Sequence, residues 1–383
     1  MWSGPSSRCT RRSIFKSLEF RLAPVDTLFR RFTGEKGDGV TVDVGVIGAT
    51  GLVGQEMLRI LEQRSFPVGT LRAYASPRSE GRALAFRDGE VICEVLRDGC
   101  FDGVDIVIVD VDDPLALVWA PAAAAAGARV VDNSAAFRME ADVPLVVAEV
   151  NPEDLRDLPR GIASCPNCTT MVLVTALAPL HRAAGINRMV VSTYQSVSGA
   201  GAAGITELET QWNKFAGDSE SLRRAATVDG LISPGEVWPK PIAGNVIPLA
   251  GSVKDAGYTS EEWKLVYESR KILHDDAMRI TATCVRVPVY VGHAMTANVE
   301  FHDSMTRARA VELLADAPGV RLVDHGDGAP TALEGAGIDP VLVGRLREDP
   351  SQPNTLDLWV TGDNLRKGAA LNAVQMAEIL TFG

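Results

Sequence analysis

The apolar residues of this chain change their spacing several times between residue 42 and the C-terminus. Residues 42–47 are a β-branched run that predicts a buried strand, and residues 55–63 carry apolar side chains at helical spacing. Further buried strands are predicted at 71–75, 105–110 and 128–131, with an alanine-rich helix around 121–126. Strands that alternate with helices in this way predict an α/β fold with a doubly wound parallel sheet.

The second half of the chain follows a different pattern, which predicts an α+β domain. Strands are predicted at 189–195 and within 282–301, and helices at 168–178, 205–212 and 259–274. Thr259 and Glu262 have the spacing of a capping box. Residues 216–257 are rich in Gly and Pro and predict a long irregular connection, whereas 364–380 predicts one helix that returns to the first domain.

Length and composition are those of a globular protein with two domains. The 383 residues divide into 40–166, completed by 363–383, and 167–362. A net charge of −11 argues against non-specific nucleic-acid binding. Six cysteines without regular spacing favour a reducing compartment, hence the cytoplasm, and the absence of an apolar run of bilayer length argues against a membrane span.

Residues 1–39 form a basic extension that stands outside this pattern. Arginines and lysines outnumber the acidic residues, and there is no apolar core of a secretory signal. A transit peptide, a disordered tail and an upstream start-site artefact are the alternatives. The last two are favoured, because Gly37-Asp38-Gly39 leads directly into the first strand.

A glycine-rich segment joins the first strand to the first helix. Because glycines in such a loop let the backbone approach a pyrophosphate at a helix N-terminus, the segment predicts a Rossmann-like dinucleotide-binding domain. The candidate cofactor-binding residues here are Gly48, Thr50, Gly51, Leu52, Val53 and Gly54.

The residues after the second strand bear on the choice of dinucleotide. An NAD-selective site has an acidic residue here, whereas this chain has Ser76, Arg78 and Ser79, which suit a 2′-phosphate. We therefore predict NADP, with a solvated loop arginine as the alternative.

The segment Ser164 to Thr170 presents a cysteine at the start of an apolar helix. Pro166 disfavours helix at Cys165, and Asn167 is a predicted cap, so Cys168 falls in the first helical turn. Unpaired N–H groups and the helix dipole stabilise a thiolate there, and a thiolate is a nucleophile. A core cysteine, a redox pair with Cys165 and half of a zinc site are the alternatives. No second Cys-x-x-Cys motif is present, and no metal site is predicted.

Other polar residues mark candidate binding positions. Arg138 follows a strand end where an anion can be held, with a surface ion pair as its alternative. The loop 198–204, which contains Ser198 and Gly199, is a second candidate anion nest or a flexible hinge. Glu261 and Lys264 share a helix face, as in an exposed ion pair. Arg286 and His293 face one site only if Pro288 or Gly292 bends the chain between them.

Taken together, these residues resemble the aspartate-semialdehyde dehydrogenase family from Val42 to the C-terminus. The motifs that carry the resemblance, in the family's order, are Gly48 to Gly54, Asp132-Asn133-Ser134, Pro166-Asn167-Cys168-Thr169-Thr170, Gln195 to Gly201 and Arg286 to His293. The resemblance implies reversible, phosphate-dependent oxidation of L-aspartate 4-semialdehyde to 4-phospho-L-aspartate with NADP. It also implies a homodimer formed through the second domain, and a place in lysine, threonine and methionine biosynthesis.

The resemblance also implies residue roles. Cys168 is the expected nucleophile, His293 the general acid/base, and Gln195 the group that orients the intermediate, with Asn167 beside the reacting centre. Arg286 is expected to bind the substrate carboxylate and Glu261 its amino group. Arg138 and Lys264 are expected to bind phosphate, and Asn364 joins Ser198 and Gly199 in the predicted cofactor site.

Two rival functions and one departure from the pattern remain open. The rivals are another acyl-phosphate reductase, such as N-acetyl-glutamyl-phosphate reductase, and a non-catalytic NADP-binding regulatory protein. The departure from the family's motif is Cys165, which makes residues 165–168 Cys-Pro-Asn-Cys. A reversible Cys165–Cys168 disulfide is one hypothesis, and a buried bystander is the favoured alternative because so short a turn strains the bond.

Overall fold

The computed structural model describes residues 41–217, 220, 223, 235–323 and 329–383. Its α-helices are α1 (Leu52–Gln63), α2 (Asp113–Ala125), α3 (Cys168–Ala184), α4 (Gly201–Phe215), α5 (Ser260–Leu273), α6 (Arg307–Ala315), α7 (Ala332–Gly335) and α8 (Leu371–Phe382). Its strands are β1 (Val42–Ile47), β2 (Val68–Ala75), β3 (Ala83–Phe86), β4 (Gly89–Val95), β5 (Ile106–Val109), β6 (Arg129–Asp132), β7 (Ile162–Ser164), β8 (Ile186–Gln195), β9 (Arg279–Arg286), β10 (His293–Phe301), β11 (Val320–Leu322), β12 (Val341–Glu348) and β13 (Thr355–Gly362). The predicted extension 1–39 and part of the predicted connection 216–257 lie outside the described residues.

The first sheet has the order β3-β4-β2-β1-β5-β6-β7. Its neighbouring strands are parallel except for the antiparallel edge pair β3–β4. Apolar side chains of α1 and α8 pack on one face, and those of α2 pack on the other. The predicted doubly wound parallel sheet is therefore confirmed, and the carboxyl ends of β1, β2, β5 and β6 meet at one edge.

The second sheet has the order β11-β12-β13-β10-β8-β9. Strand β8 lies between β9, which runs parallel to it, and β10, which runs antiparallel. Residues 287–292 therefore carry the chain from one side of β8 to the other, and Gly292 has a φ of 95°. The bend that Arg286 and His293 require in order to face one site is present, and it takes the form of a strand crossover.

Helix α3 packs on the second sheet, against β8, β10, β12 and β13. Met171, Leu173, Val174 and Leu177 are buried in the large core cluster that also includes side chains from both sheets. A helix that is apolar on every side requires such a buried position. This burial fixes the N-terminus of α3, with Cys168, between the end of β7 in the first sheet and the ends of β8 and β10 in the second.

The C-terminal segment differs from the single predicted helix over 364–380. Residues Arg366–Ala370 form a π-helical turn, and only then does α8 begin. The predicted return to the first domain is confirmed, because α8 packs beside α1 and Glu378 pairs with both Nε and Nη2 of Arg64, at 2.9 and 2.7 Å.

Several helices begin earlier than the sequence pattern predicts, and strands β3, β4, β7 and β11–β13 were not predicted. Helix α1 begins at Leu52 rather than at residue 55, and α4 at Gly201 rather than at 205. Both helices begin within the glycine-rich segments, where weak helix propensity concealed the first turn. Among the described helices, none combines the length and the apolar character that a bilayer crossing demands.

Candidate active site

Cys168 is the first residue of α3, and Asn167 is its N-cap as predicted. The Asn167 Oδ1 atom accepts hydrogen bonds from the N–H groups of Thr169 at 2.9 Å and Thr170 at 3.4 Å. Cys168 is half-buried, and Gly368 of the π-helical turn packs against it so closely that an added Cβ would lie 2.9 Å from the Cys168 Cβ. The Cys168 side chain therefore lies between the capped N-terminus of α3 and the backbone of Gly368.

His293 faces this thiol across the site. Its Nε2 atom lies 3.2 Å from the Cys168 Sγ. Its Nδ1 atom lies 3.1 Å from both the N–H and the Oγ of Ser196, and that hydroxyl donates to Asn364 Oδ1 at 2.9 Å. The Ser196 N–H suits a ring with an unprotonated Nδ1, and the hydroxyl oxygen accepts when Nδ1 carries the proton.

Burial sets the charge state of both groups. Desolvation, aided by the nearby Arg286 cation, lowers the pKa of His293 well below its ordinary value, so the imidazole is neutral at neutral pH. Burial and then the Glu261 carboxylate raise the pKa of Cys168, although Arg286 and Lys264 act in the opposite direction. The predicted stabilisation of a thiolate by the helix end is therefore outweighed in the free protein.

Strand register brings Arg286 and Gln195 to the same place. These two residues are partners at the ends of β9 and β8, and β10 starts with His293 on the other side of β8. Arg286 is buried and donates to the Ser196 carbonyl at 2.9 Å. Gln195 donates to Thr169 Oγ1 at 2.8 Å, and its buried Oε1 has no partner among the described residues.

Glu261 and Lys264 approach the cysteine turn from α5. Glu261 accepts from Asn167 Nδ2 at 2.8 Å and from Lys264 Nζ at 2.6 Å. Burial alone would raise the pKa of Glu261, but Lys264 and then Arg286 hold it below its ordinary value. The alternative of a solvent-exposed ion pair is wrong for Glu261, which is only 9% exposed.

Arg138 is buried rather than a member of a surface ion pair. Its Nη1 lies 3.1 Å from Glu268 Oε1, and its Nη2 donates to the Asn133 carbonyl at 2.7 Å. Its buried Nε has no partner among the described residues. Glu268 also accepts the N–H of Asn167 at 2.7 Å, so the Arg138 guanidinium lies near the residue that precedes Cys168.

The glycine-rich loop has the geometry of a dinucleotide cradle. Gly48 has a φ of 87°, and a Cβ on it would collide with the Asp110 carbonyl, just as a Cβ on Gly54 would collide with the Gly48 carbonyl. Gly51 caps α1 without a side-chain hydrogen bond, while Thr50 precedes the cap and Leu52 and Val53 form the first turn. A closely packed backbone next to a helix N-terminus that has no side-chain cap fits a pyrophosphate.

The candidate residues for the 2′-phosphate lie beside this loop. The N–H groups of Gly48 and Ala49 donate to the Tyr74 carbonyl, near the end of β2, at 2.9 and 3.2 Å. The 3₁₀ turn Pro77–Ser79 follows directly, with Ser76 and Arg78 exposed and Ser79 half-buried. The turn that carries them therefore follows the end of β2 that is hydrogen-bonded to the loop.

Ser198, Gly199 and Asn364 lie next to His293 and form a bonded cluster. Asn364 Oδ1 accepts from Ser196, Ser198 and the Gly292 N–H, and its Nδ2 donates to Ser198 Oγ at 3.0 Å. Both side chains are buried and already partnered. A Cβ on Gly199 would lie 2.7 Å from Arg286 Nη1 and 3.2 Å from His293 Cε1. A cofactor role for these three residues stays a prediction.

Cys165 is buried, and its surroundings disfavour disulfide exchange. Its Sγ lies 3.4 Å from Met376 Sδ and 3.5 Å from Asn372 Nδ2, both on α8. Burial raises the pKa of Cys165 to about 12, and a protonated thiol is a poor partner for disulfide exchange. This geometry favours the bystander alternative over the Cys165–Cys168 disulfide hypothesis.

Sequence reasoning missed Ser196, Thr169 and Glu268, each of which contacts a predicted site residue. Glu268 had one detectable signal, since it lies seven residues after Glu261 and therefore on the same face of α5. Among the described residues, no group of His, Cys, Asp and Glu side chains is arranged to hold a metal ion.

Comparison with known proteins agrees with this geometry. Residues 43–158 match the family model "Semialdehyde dehydrogenase, NAD binding domain", and residues 177–367 match "Semialdehyde dehydrogenase, dimerisation domain". The aspartate-semialdehyde dehydrogenase of Streptomyces akiyoshiensis is 48% identical over 339 residues, which cover 88% of this chain and 98% of that protein. The enzyme of Mycolicibacterium smegmatis is 47% identical over 88% of this chain and 99% of its own.

The chain belongs to the aspartate-semialdehyde dehydrogenase family.

Solved structures of the family share the architecture. Aspartate-semialdehyde dehydrogenase II of Vibrio cholerae, crystallised in complex with ASA, has a TM-score of 0.83 and 41% identity, and the match covers 89% of this chain and 98% of that one. The NADP complex of the Candida albicans enzyme, at 24% identity and a TM-score of 0.69, shares the fold. The family resemblance and the α/β fold class are thus confirmed, as are an oxidoreductase acting on an aldehyde and a domain for a nicotinamide dinucleotide. The relatives are named as aspartate-semialdehyde dehydrogenases rather than as N-acetyl-glutamyl-phosphate reductases.

Proposed function

We propose that this member of the aspartate-semialdehyde dehydrogenase family oxidises L-aspartate 4-semialdehyde to 4-phospho-L-aspartate, reversibly, with phosphate and NADP. The observation that carries the proposal is the 3.2 Å contact between Cys168 Sγ and His293 Nε2 at the N-terminus of α3. A nucleophile within hydrogen-bond reach of an acid/base group is the arrangement that covalent catalysis at a carbonyl requires.

The charges around Cys168 suit an amino-acid substrate. Arg286 presents a guanidinium for the α-carboxylate, and the Glu261 carboxylate faces the α-amino group. Both side chains are buried, which strengthens their interaction with a charged ligand. Carboxylate and ammonium are therefore bound by opposite charges, while the aldehyde points toward the sulfur.

The first chemical stage is addition and oxidation. The sulfur of Cys168 adds to the aldehyde carbon, and His293 Nε2 takes the thiol proton and passes it to the former aldehyde oxygen, which gives the neutral thiohemiacetal. A proton must then leave the hydroxyl of the thiohemiacetal, and His293 Nε2 accepts it while Ser196 Oγ accepts from Nδ1–H. Gln195 orients the developing oxygen. A nicotinamide dinucleotide supplies the hydride acceptor, and Cys168 is left as a thioester.

The second stage is phosphorolysis. Arg138 and Lys264 bind phosphate, and Asn167 holds the turn beside the acyl carbon. A phosphate oxygen attacks that carbon, the carbon–sulfur bond breaks, and Cys168 leaves as a thiolate. Two fixed cations lower the cost of bringing the phosphate anion against an acyl group in the right geometry.

NADP is the proposed dinucleotide because Ser76, Arg78 and Ser79 directly follow β2, whose Tyr74 carbonyl is hydrogen-bonded to the glycine-rich loop, and no acidic side chain is among them. A homodimer assembled through the second sheet is proposed from the matched dimerisation domain. The domain division at 166 and 363, and a cytoplasmic location, stay predictions. The other residue roles given above are likewise part of this proposal.

An absorbance assay at the NADPH band tests the proposal. Purified protein is mixed with semialdehyde and NADP, with and without inorganic phosphate, and we expect sustained NADPH formation only with phosphate. A preference for N-acetyl-glutamyl phosphate in the reverse direction would replace the substrate assignment. Cofactor binding without turnover would indicate a regulatory protein instead.

A further inference from the structure

Four charged residues recur along one face of α5. Glu261, Lys264, Glu268 and Lys271 are spaced three, four and three residues apart, which places them on the same side of a helix. The face points toward the cysteine turn and toward residues 132–143. The proposed function uses Glu261 and Lys264, and it leaves Glu268 and Lys271 without a role.

Glu268 joins two parts of the site that are distant in sequence. Its carboxylate is 2% exposed. One oxygen accepts the backbone N–H of Asn167 at 2.7 Å, and the other lies 3.1 Å from Arg138 Nη1. A single buried carboxylate therefore ties the residue before the nucleophile to the guanidinium proposed to bind phosphate.

Lys271 holds the chain that carries Arg138. Its Nζ donates to three main-chain carbonyls, those of Arg138 at 2.7 Å, Glu140 at 2.7 Å and Val143 at 2.8 Å. An ammonium group has three N–H donors, so all of them are used on this one turn. The backbone around Arg138 is thereby fastened to α5 one helical turn beyond Glu268.

These contacts restrict the guanidinium without using all of its donors. Arg138 is held through Glu268 and the Asn133 carbonyl, and its buried Nε–H still has no partner among the described residues. The Glu268 charge offsets part of the attraction of Arg138 for an anion. An ion pair that weakens the attraction of Arg138 for an anion is useful if the orientation of its N–H donors matters more than its charge.

We propose that Glu268 and Lys271 are positioning residues that hold Arg138 in the orientation in which it binds the tetrahedral phosphate that cleaves the thioester. The inference rests on the proposed function. It assigns neither residue a contact with substrate, since both act through Arg138.

Two variants with opposite changes of charge test the inference. Glu268→Gln removes a negative charge but keeps an oxygen for the Asn167 N–H, and Lys271→Met removes a positive charge. If the two residues acted only through their charge, the first variant would bind phosphate more tightly and the second more weakly. A positioning role predicts that the phosphate KM rises in both, by about tenfold, which corresponds to about 1.4 kcal/mol.

The semialdehyde KM is the internal reference, and we expect it to change by less than about threefold because Arg286 and Glu261 are untouched. Glu378→Gln is a matched control, since Glu378 is a buried residue of α8 that pairs with Arg64 at the C-terminal end of α1. It should leave both KM values unchanged. Lys271→Arg keeps the charge without the compact three-way donor geometry, and we expect an intermediate rise that persists at high salt.

The outcomes separate the inference from the function on which it rests. Absence of phosphate-dependent NADPH formation in the unmodified protein would overturn the proposed function. An active unmodified protein with shifts of opposite sign in the two variants, or with an unchanged phosphate KM in either, would overturn the inference. If Glu268→Gln fails to fold, Lys271→Arg provides the test. A rise in its phosphate KM that persists at high salt supports the inference, and a rise that disappears at high salt overturns it.

Discussion

At the scale of the residue, the chemical state of each reactive group is set by a few neighbours. Cys168 and His293 are adjacent, yet burial raises the pKa of the thiol and lowers that of the imidazole. Both groups are therefore neutral in the free protein at neutral pH. Under the proposed function, the thiolate has to be formed when a substrate enters, and His293 is the proposed acceptor of the proton.

The first prediction concerns the nucleophile itself. Cys168→Ala should abolish turnover and leave the NADP dissociation constant within about threefold, because the sulfur is needed for the covalent step and not for the cofactor. NADPH absorbance and fluorescence titration measure the two effects. Cys165→Ala is the matched control and should keep its turnover, at a stability cost of about 1 kcal/mol. Loss of cofactor binding in Cys168→Ala would instead indicate a structural cysteine.

The second prediction concerns substrate charge. Arg286→Lys should raise the semialdehyde KM by at least about tenfold, because a lysine cannot reproduce a planar two-point contact with a carboxylate. Steady-state kinetics at saturating phosphate and NADP provide the measurement. Arg279→Lys, at the exposed start of the same strand, should leave the KM as it is. An unchanged KM in Arg286→Lys would remove that residue from the substrate site.

At the scale of the element, strand ends and helix ends form the site. The carboxyl ends of β8 and β9 and the start of β10 supply Gln195, Arg286 and His293, and α3 supplies Cys168. At the edge of the other sheet, β5 leads into Asp110, which lies beside the glycine-rich loop. Elements from both sheets thus surround the proposed path of the dinucleotide.

The third prediction follows from Asp110. Burial raises the pKa of this carboxyl to about 6, against the effect of its hydrogen bond with Asn133 and with help from Asp132. A pyrophosphate beside the glycine-rich loop would favour the protonated form still further. NADP affinity should therefore fall as the pH rises through 6 and above, because the bound anion then meets a carboxylate.

Titration of NADP binding between acidic and mildly alkaline pH checks this expectation. Asp110→Asn should bind NADP more tightly than the unmodified protein at pH values above about 7 and should lose most of the pH dependence. Asp112→Asn changes an exposed residue on the same turn and should behave like the unmodified protein. Equal pH slopes in all three proteins would refute the assigned role of Asp110.

At the scale of the whole molecule, buried ion pairs link distant segments of the chain. Lys367 in the π-helical turn is fully buried and pairs with Glu149, and Gln375 hydrogen-bonds to both. Burial alone would raise the pKa of Glu149, but the Lys367 charge lowers it below its ordinary value. The turn that packs against Cys168 therefore depends on a pair 218 residues apart in sequence.

The fourth prediction measures this link. Glu149→Gln should lower the free energy of unfolding by about 3–5 kcal/mol, because it leaves a buried ammonium without its counter-charge. Urea unfolding followed by circular dichroism gives the value. The double variant Glu149→Gln/Lys367→Met should recover part of the loss. If the single and double variants are equally unstable, the pair does not act as described.

The same pair gives a sign for the pH dependence of stability. A carboxyl whose pKa is lower in the folded than in the unfolded state stabilises the fold above its unfolded pKa, and this stabilisation is lost as the pH falls through the folded value. The unmodified protein should therefore lose stability below about pH 4.5, the ordinary pKa of a glutamate. The Glu149→Gln variant should lose less stability than the unmodified protein over that acidic range.

Local features of this protein were predictable from its sequence alone. The Asn167 cap, the Thr259–Glu262 capping box, the glycine-rich loop and the alternation of the first sheet depend on residues a few positions apart. The physical reason is that caps, turns and periodicity act over a single turn of helix or a single strand. The family resemblance assigned the roles of the candidate site residues, and the motifs on which it rests are short stretches of sequence.

Only the tertiary structure decided which of these local features meet and in what chemical state. The strand order that places β8 between β9 and β10 brings Arg286 and His293 together, and Glu268 reaches Arg138 across 130 residues. The pKa values of Cys168, His293 and Asp110 are governed by burial, which the packing of both sheets creates. Desolvation and charge act through space, so no local pattern of residues encodes them.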